Sequence, residues 1–235
     1  MKPSEPAPAL HCWYQDADLL VLDKPSGLLC VPGRGPDKQD CLSERAQAQW
    51  PGALIVHRLD QPTSGLVLMA RHAQAQRDLS LAFAERRVHK QYLAVVRGQP
   101  ALPTDADGWG LIDLPLICDW PRRPLQKVDW EHGKPSQTRW RSLGYERQSD
   151  TSVLELEPLT GRSHQLRLHL AHHGHPILGD ALYADAATQA QAPRLLLHAH
   201  RLGLAHPGSG SWQQWQSPAD FGAPWQALLA ATMGA

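Results

Sequence analysis

Long apolar runs are missing from this chain of 235 residues. No stretch reaches the ~18 consecutive apolar residues that a membrane-spanning helix needs, and the opening sequence MKPSEPAPAL has no apolar signal-peptide core. We therefore expect a protein of the cytoplasm that has no contact with a membrane. Hydrophobic residues still make up 42% of the sequence, which suffices for the core of one large domain or of two small lobes.

Cysteine pairs, phosphate-binding loops and metal motifs are missing as well. The four cysteines are scattered and include no CxxC, so we expect reduced, mostly buried thiols. The chain has no GxxxxGKS/T, no GxGxxG and no HExxH. These absences predict an activity without nucleotide cofactor or metal. Histidines crowd the segment from His164 to His175, but on a helix only His169 with His172 or His173 would share a face, so a zinc site is the less favoured alternative.

An excess of one charge is also absent, because 23 basic residues balance 23 acidic ones. The whole chain therefore gives no electrostatic sign of a nucleic-acid partner. Two segments, RRVHKQYLAVVRG and WPRRPLQK, do hold several cations and no acid, although each alone is typical of a solvated face. The chain also has nine tryptophans, and aromatic rings near basic patches can stack on unpaired bases. We expect most of these rings, including those of the C-terminal tail, to pack instead.

The apolar periodicity predicts strands and helices that are intermixed without regular βαβ alternation. We predict strands at 19–22, 54–59 and 66–70 and in KQYLAVVRG, VLELEP and RLLLHAHRLGLAH, and helices in CLSERAQAQW, from 72 to 88, and from Ser163 as N-cap to Gly174. Such intermixing predicts an α+β fold around a mixed sheet.

The stretch VHRLDQPTSGLVLMA contains the most informative carboxylate. The pattern predicts strand, turn and strand, with Asp60 where the first strand gives way to the turn. Residues two apart on a strand point to the same face, so Arg58 and Asp60 are expected to be neighbours. A surface ion pair is the simple interpretation; a reactive group presented by a rigid scaffold is the other. An aspartate is ionised at neutral pH and can serve as nucleophile or base.

The tripeptide TGR before the predicted third helix adds a cation. Arg162 would lie beside the positive helix N-terminus, where it suits a phosphate or the carboxylate of Asp60. Hydrolysis of a glycosidic bond would need a second carboxylate. The best candidate is Asp180 in GHPILGD, although an aspartate after glycine is more often a turn residue.

Taken together, these motifs resemble those of the RluA family of pseudouridine synthases. The chain carries HRLDQPTSG for the family's His-Arg-Leu-Asp-x-x-Thr-Ser-Gly, KQYLAVVRG for its Lys-x-Tyr, and then TGRSHQLRLH, GHPILGD and LLLHA in the family's order. LPLICDWPRRPLQKV followed by GKPSQT resembles the dual-specificity branch of the family, which acts on a hairpin of 23S ribosomal RNA and on tRNA anticodon stem-loops.

The resemblance implies the pseudouridine synthase fold, an α+β arrangement whose mixed, mainly antiparallel sheet is flanked by helices, with two lobes around a central RNA-binding cleft. Residues 1–15 would be a leader and 16–235 the catalytic domain, without the S4 domain that many relatives carry. The implied activity is isomerisation of uridine to pseudouridine in 23S rRNA and tRNA, without cofactor or metal. The enzyme is expected to be a monomer.

The resemblance also implies roles for the matching positions. Asp60 would be the essential catalytic carboxylate, Tyr92 would stack on the target base, and Arg162 would hold Asp60 ionised and oriented. Arg58 would enter the RNA stack where the uridine has left. Further RNA contacts are expected from His57, Arg86, Arg87, Lys90, Arg122, Arg123 and Lys127.

Three other functions stay open at this point. The chain could be a non-catalytic RNA-binding module that kept the fold, although the joint presence of Asp60, Tyr92 and Arg162 speaks against it. It could be a hydrolase that releases free uracil. It could also be a synthase that modifies only tRNA or only ribosomal RNA.

Overall fold

The computed structural model of the protein describes residues 9–103 and 107–233. The chain divides into two compact units. The first comprises Met1–His89 and Leu202–Ser217, and the second comprises Lys90–Arg201 and Pro218–Ala235. No helix among the described residues combines the length and the hydropathy that crossing a membrane would require.

Strands outnumber helices in the described chain. In chain order the elements are β1 His11–Gln15, β2 Leu19–Lys24, α1 Leu42–Gln49, β3 Leu54–Ile55, β4 Ser64–Ala70, α2 Ala73–Ala84, β5 His89–Arg97, β6 Gly110–Asp113, β7 Leu116–Cys118, β8 Gln126–Val128, β9 Gln137–Glu146, β10 Thr151–Pro158, α3 Gln165–His172, α4 Ala186–Ala190, β11 Leu197–Ala205, β12 Trp212–Gln216 and α5 Trp225–Met233. Short 3-10 helices occupy Pro36–Lys38 and Trp120–Arg122.

In the first unit an antiparallel sheet is covered by α2. Strand β2 pairs with β1 on one side and with β4 on the other, and β3 also pairs with β4. The helix turns Ala75, Leu79 and Ala82 toward the core, as its apolar spacing predicted. Every residue of β4 is buried, which is expected of a strand enclosed on both faces.

In the second unit β10 lies between β5 and β9, and β6 pairs with the far side of β9, all antiparallel. Leu166 and Leu170 of α3 join the core of this sheet. Helix α5 contributes Trp225, whose indole Nε1 donates to the Thr151 hydroxyl at 2.8 Å. Strands β7 and β8 form a separate two-stranded hairpin. The α+β prediction with a mainly antiparallel sheet is therefore confirmed.

Several predicted boundaries were wrong. The first strand of the VHRLD stretch ends at Ile55 rather than at residue 59, and α2 covers 73–84 rather than 72–88. Ser163 does not cap α3; the cap position is His164, in the left-handed region with φ 53°. The leader expected at residues 1–15 overlaps β1, and its first eight residues lie outside the described chain.

One ion pair is fully enclosed in the second unit. Arg167 donates to both oxygens of Asp180, at 2.8 and 2.6 Å, and the two side chains are only 3% and 1% exposed. The carboxylate also accepts the backbone N–H groups of Leu182 and Tyr183. Asp180 therefore fixes the turn after GHPILG, and it is a structural residue with no route to bulk water.

We expect Asp180→Ala to lower the free energy of unfolding by about 3–5 kcal/mol, because it leaves a buried guanidinium without its counter-charge. Urea titration followed by circular dichroism measures the loss. Asp40→Ala is the control: Asp40 pairs with Arg45 at 2.6 Å but is 60% exposed, so its removal should cost about 0–1 kcal/mol. Equal losses in the two variants would contradict the structural role of the buried pair.

Candidate active site

The segment that carries Asp60 follows β3 without regular structure. Leu59 is buried, whereas Arg58 is exposed and Asp60 is half-buried. Arg58 and Asp60 therefore do not share a strand face, contrary to the prediction from the sequence, since the strand has already ended. Leu59 anchors the segment, and the residues on either side of it extend toward the surface.

A side chain ends the pairing of β3 with β4. The backbone ladder pairs Ile55 with Met69 and then stops. At the next position the N–H of Leu68 donates to His57 Nε2 at 2.9 Å instead of to a backbone carbonyl. A side-chain acceptor that replaces a ladder bond frees the main chain from the sheet. His57 thus ends the strand pairing two residues before Leu59, while its side chain keeps the segment attached to β4.

The ring of His57 is held by an aromatic partner as well. It stacks on Phe83 of α2, with ring centroids 4.4 Å apart and planes inclined by 22°. Because Nε2 accepts a backbone N–H, it carries a lone pair in this bond. The sequence predicted that His57 contacts RNA; in the structure the ring is half-buried and bonded to its own unit. Phe83 gave no sign of this role in the sequence beyond its place on the apolar face of α2.

The turn after β2 holds the other end of the Asp60 segment. The carbonyl of Gln61 accepts from Gly27 N at 2.9 Å and from Lys24 Nζ at 2.9 Å. The Gln61 side chain donates back to the Gly27 carbonyl at 3.0 Å, and Ser26 Oγ donates to the Pro62 carbonyl at 2.7 Å. Gly27 has φ 90°, a conformation that glycine adopts without strain. The chain that carries Asp60 is therefore bonded to protein on both sides.

Lys24 is a buried cation below this segment. Its side chain is fully enclosed, and Nζ donates to the carbonyls of Pro25, Leu28 and Gln61 at 2.8–2.9 Å. Burial lowers the pKa of Lys24 to about 8, an effect that the negative charges of Asp60 and Asp23 partly oppose. A lysine with this pKa is mostly charged at neutral pH. The motifs in the sequence did not single out this lysine.

Two of the predicted RNA-binding cations follow α2. Arg86 and Arg87 are both exposed, and Arg86 has φ 59°. Arg87 Nε lies 2.7 Å from Glu85, the acid immediately before the basic segment. The positive charge at Arg87 is therefore shared with a neighbour, whereas Arg86 forms no ion pair with another residue of the described chain.

The second unit contains Lys90 and Tyr92. Both lie on β5, two residues apart, so they share one face of the strand. Tyr92 is opposite Leu156 of β10 and packs half-buried against the core of this unit. The tyrosine ring is thus supported by a central strand of the sheet.

Arg162 stands on a turn organised by a buried glutamine. Gln165 Oε1 accepts from Arg162 N at 3.0 Å and from Thr160 Oγ1 at 2.7 Å, and its Nε2 donates to the Gln137 carbonyl at 2.9 Å and to Thr138 Oγ1 at 3.0 Å. The amide oxygen holds the turn, and the amide nitrogen ties the turn to β9. The Arg162 side chain itself is exposed, with Nε 3.4 Å from the Pro135 carbonyl.

The last three predicted cations lie on the β7–β8 hairpin, and each has a different environment. Arg122 pairs with Asp119 at 2.6 Å, and that carboxylate is only 7% exposed. Lys127 pairs with Asp129 at 3.0 Å. Arg123 lies over the indole of Trp120, 4.3 Å from the ring centroid. The described acids therefore partly neutralise two of the three cations that the sequence grouped together.

The histidine-rich segment does not form a metal-binding group within the described chain. His169 is buried with Nδ1 2.9 Å from Thr138 Oγ1, and burial lowers its pKa to about 4. The described residues that come close enough for a cation are Asp16, Asp18 and His206. His206 is already bonded through both nitrogens, with Nε2 2.7 Å from Asp16 and Nδ1 accepting two backbone N–H groups at 3.2 Å. Hydrogen bonding accounts for this cluster.

Comparison with known proteins relates this geometry to a family. The RNA pseudouridylate synthase family model matches residues 18–172. The chain is 49% identical over 214 residues to the dual-specificity RNA pseudouridine synthase RluA of Escherichia coli K12, covering 91% of this chain and 95% of the relative. It is 47% identical over 208 residues to the protein of that name from Yersinia pestis, covering 88% and 98%.

Solved structures agree. Human RNA Pseudouridylate Synthase Domain Containing 1 superposes with a TM-score of 0.73 at 28% identity, over 95% of this chain and 90% of that one. Human RNA Pseudouridylate Synthase Domain Containing 4 shares the fold, with a TM-score of 0.70 at 21% identity, over 95% and 92%. The motifs of the sequence, the matched family model and the near full-length identity lead to one conclusion: this chain belongs to the RNA pseudouridylate synthase family and is an RNA pseudouridine synthase, an isomerase.

Proposed function

We propose that this enzyme isomerises uridines in two kinds of RNA, a 23S rRNA hairpin and tRNA anticodon stem-loops. The observation that carries the proposal is the similarity to enzymes named as dual-specificity synthases, at 49% identity over nearly the whole length of both chains. The segment LPLICDWPRRPLQKV, which resembles that branch, forms a defined hairpin in this protein. We also propose that it works in the cytoplasm as a monomer.

We propose Asp60 as the catalytic carboxylate. In the reaction the bond from C1′ to N1 breaks, a bond from C1′ to C5 forms, the C5 proton leaves to solvent and N1 takes up a proton. A carboxylate in this position can act as a nucleophile or as a base. The tight anchoring of its segment, through Gln61 and His57, fits a group that must be held in one position for reaction.

Tyr92, Arg162 and Arg58 complete the proposed machinery. A uridine in a stem-loop must leave the stack before its C1′ and C5 can be reached, at a cost of roughly a few kcal/mol. Arg58, exposed beside Asp60, can fill the gap because a guanidinium both stacks and bonds phosphate. Tyr92 would cover the flipped base and reach the C5 proton, and Arg162 would keep Asp60 ionised and oriented.

The proposed chemistry needs no cofactor and no metal. Phosphate contacts, which set register more than sequence, are assigned to Arg86, Arg87, Lys90 and the hairpin cations. Among them, Arg86 and Arg123 suit this role best, because Arg87, Arg122 and Lys127 each already bond an acid. His57 joins this group less readily, since its ring is engaged with Phe83 and Leu68.

Hydrolysis of the glycosidic bond would need a second carboxylate, and the best candidate for it is buried. Asp180 was the candidate for activating water, but it is 1% exposed and bonded through both oxygens to Arg167. A carboxylate held in this way cannot bind a water for attack at C1′. Isomerisation, which keeps the base on the RNA, is the reaction that these residues support.

We expect Asp60→Asn to bind RNA with wild-type affinity and to lose turnover by at least about 10²- to 10⁴-fold. The amide keeps the shape of the carboxylate and removes its charge. Filter binding with a stem-loop measures affinity, and tritium release from RNA labelled at uridine C5 measures turnover. Appreciable activity in a clean preparation of the variant would refute the assignment.

Two substitutions at His57 test its hydrogen bond to Leu68 and its stacking on Phe83 separately. His57→Gln can keep an acceptor for Leu68 N–H, and we expect it to retain most activity. His57→Phe keeps a ring against Phe83 but leaves that N–H without its acceptor, so the Asp60 segment should shift and the single-turnover rate should fall by about 10- to 100-fold. If both variants instead lose RNA affinity and keep the rate at saturating RNA, His57 contacts RNA directly.

The substrate range is tested by tritium release from two labelled RNAs, an anticodon stem-loop and a 23S rRNA hairpin, with a chelator present. Release from both supports the proposed function. Release from one alone limits the enzyme to tRNA or to ribosomal RNA. Tight binding of both RNAs without release by the wild-type protein would contradict the proposal and favour a non-catalytic RNA-binding module.

A further inference from the structure

An exposed tryptophan stands at the tip of the β7–β8 hairpin. Trp120 begins the 3-10 helix Trp120–Arg122 and is 65% exposed. The guanidinium of Arg123 lies 4.3 Å from its ring centroid. A single exposed ring is ordinary on a protein surface, but this one has a guanidinium over its face. The pair therefore offers a flat apolar surface and a cation at one place.

The tip that carries this pair is rigidly built. The backbone of Asp119 donates to the Leu125 carbonyl at 2.9 Å, Arg122 N donates to the Asp119 carbonyl at 3.0 Å, and Leu125 N donates to the Arg122 carbonyl at 3.0 Å. The buried carboxylate of Asp119 then fixes the Arg122 side chain at 2.6–2.7 Å. With the turn closed in this way, Trp120 has a defined position although it is exposed.

The hairpin is also tied to the turn that carries Arg162. Gln126 N of β8 donates to the Tyr183 hydroxyl at 2.9 Å, and that hydroxyl lies 2.8 Å from His164 Nδ1. His164 follows Arg162 by two residues. Because one tyrosine hydroxyl joins both segments, the position of the hairpin within the second unit is fixed relative to Arg162.

We propose that Trp120 and Arg123 together bind one unpaired nucleotide of the RNA substrate, a nucleotide other than the target uridine. The base stacks on the indole, and the guanidinium bonds the adjoining phosphate. The inference rests on the proposed function, which supplies the RNA, and it adds a recognition site that the catalytic residues do not include. Stacking tolerates any base, because every base has a π-face.

The charges favour a nucleic acid over a protein as the occupant. Within the described residues no carboxylate pairs with Arg123, whereas Asp119 holds Arg122 and Asp129 holds Lys127. An unneutralised guanidinium beside an aromatic face matches a phosphate next to a base. Each base stacked on an aromatic side chain changes affinity by about 5- to 100-fold when the ring is removed.

The hairpin segment provides a matched control. Trp130 follows β8 and is 75% exposed, but no guanidinium lies over its ring among the described residues. Removing it deletes the same side chain from the same segment. A general effect of losing an exposed tryptophan would therefore appear equally in Trp120→Ala and Trp130→Ala.

The experiment measures binding of an anticodon stem-loop to Trp120→Ala, Trp120→Phe, Arg123→Gln and Trp130→Ala, each in the Asp60→Asn background to prevent turnover. We expect Kd to rise about 5- to 100-fold for Trp120→Ala, to rise less for Trp120→Phe, which keeps a ring, and to change less than about twofold for Trp130→Ala. Arg123→Gln should reduce the salt dependence of Kd by about one phosphate contact.

Fluorescence locates the stacked nucleotide. The stem-loop is made with 2-aminopurine at each unpaired position in turn, and one position should be quenched on binding Asp60→Asn and not on binding Trp120→Ala in that background. Unchanged affinity in Trp120→Ala, equal losses in Trp120→Ala and Trp130→Ala, or no quenched position would overturn the inference. If the otherwise wild-type enzyme releases no tritium while binding still depends on Trp120, the proposed function fails and the stacking site stands.

Discussion

The carbonyl of Gln61 is the acceptor on which the presentation of Asp60 depends. Two donors from the turn after β2 converge on it, the Gly27 amide and the ammonium of buried Lys24. A lysine enclosed in protein is tolerated because three carbonyls surround its head group. The cost of that burial is visible in its lowered pKa. The position of Asp60 therefore depends on hydrogen bonds from a buried lysine that solvent does not reach.

In the second unit, too, a buried polar side chain positions a segment at the surface, but here the group is neutral. Buried Gln165 holds the turn that carries Arg162 with its amide oxygen and ties that turn to β9 with its amide nitrogen, and the Tyr183 hydroxyl joins the region to the hairpin. A partly satisfied buried network destabilises a fold, whereas a complete one specifies a single arrangement. In both units, the segments that carry Asp60 and Arg162 lie at or near the surface, and buried polar side chains set their positions.

Charge pairing divides the predicted RNA-binding cations into two groups. A chain with equal numbers of acids and bases has acids close to many of its cations. Three of the predicted cations each pair with an acid: Arg87 with Glu85, Arg122 with Asp119 and Lys127 with Asp129. The charges of Arg86 and Arg123 stay available to phosphate. Spacing in the sequence could not show which cations pair with an acid. The acids lie just outside the two basic segments, and the local turn decides which cation each acid meets.

The sequence by itself determined the family, the α+β class and the apolar faces of α2 and α3, because motif order and periodicity are local properties of the chain. Only the tertiary structure decided where β3 ends, why Ser163 is not a helix cap, and that Asp180 is buried against Arg167. The end of β3 and the burial of Asp180 each depend on a partner from another segment, Leu68 for His57 and Arg167 for Asp180. The turn before α3 is likewise tied to β9, through Gln165 and Gln137. Such partners are brought together only when the sheet has formed.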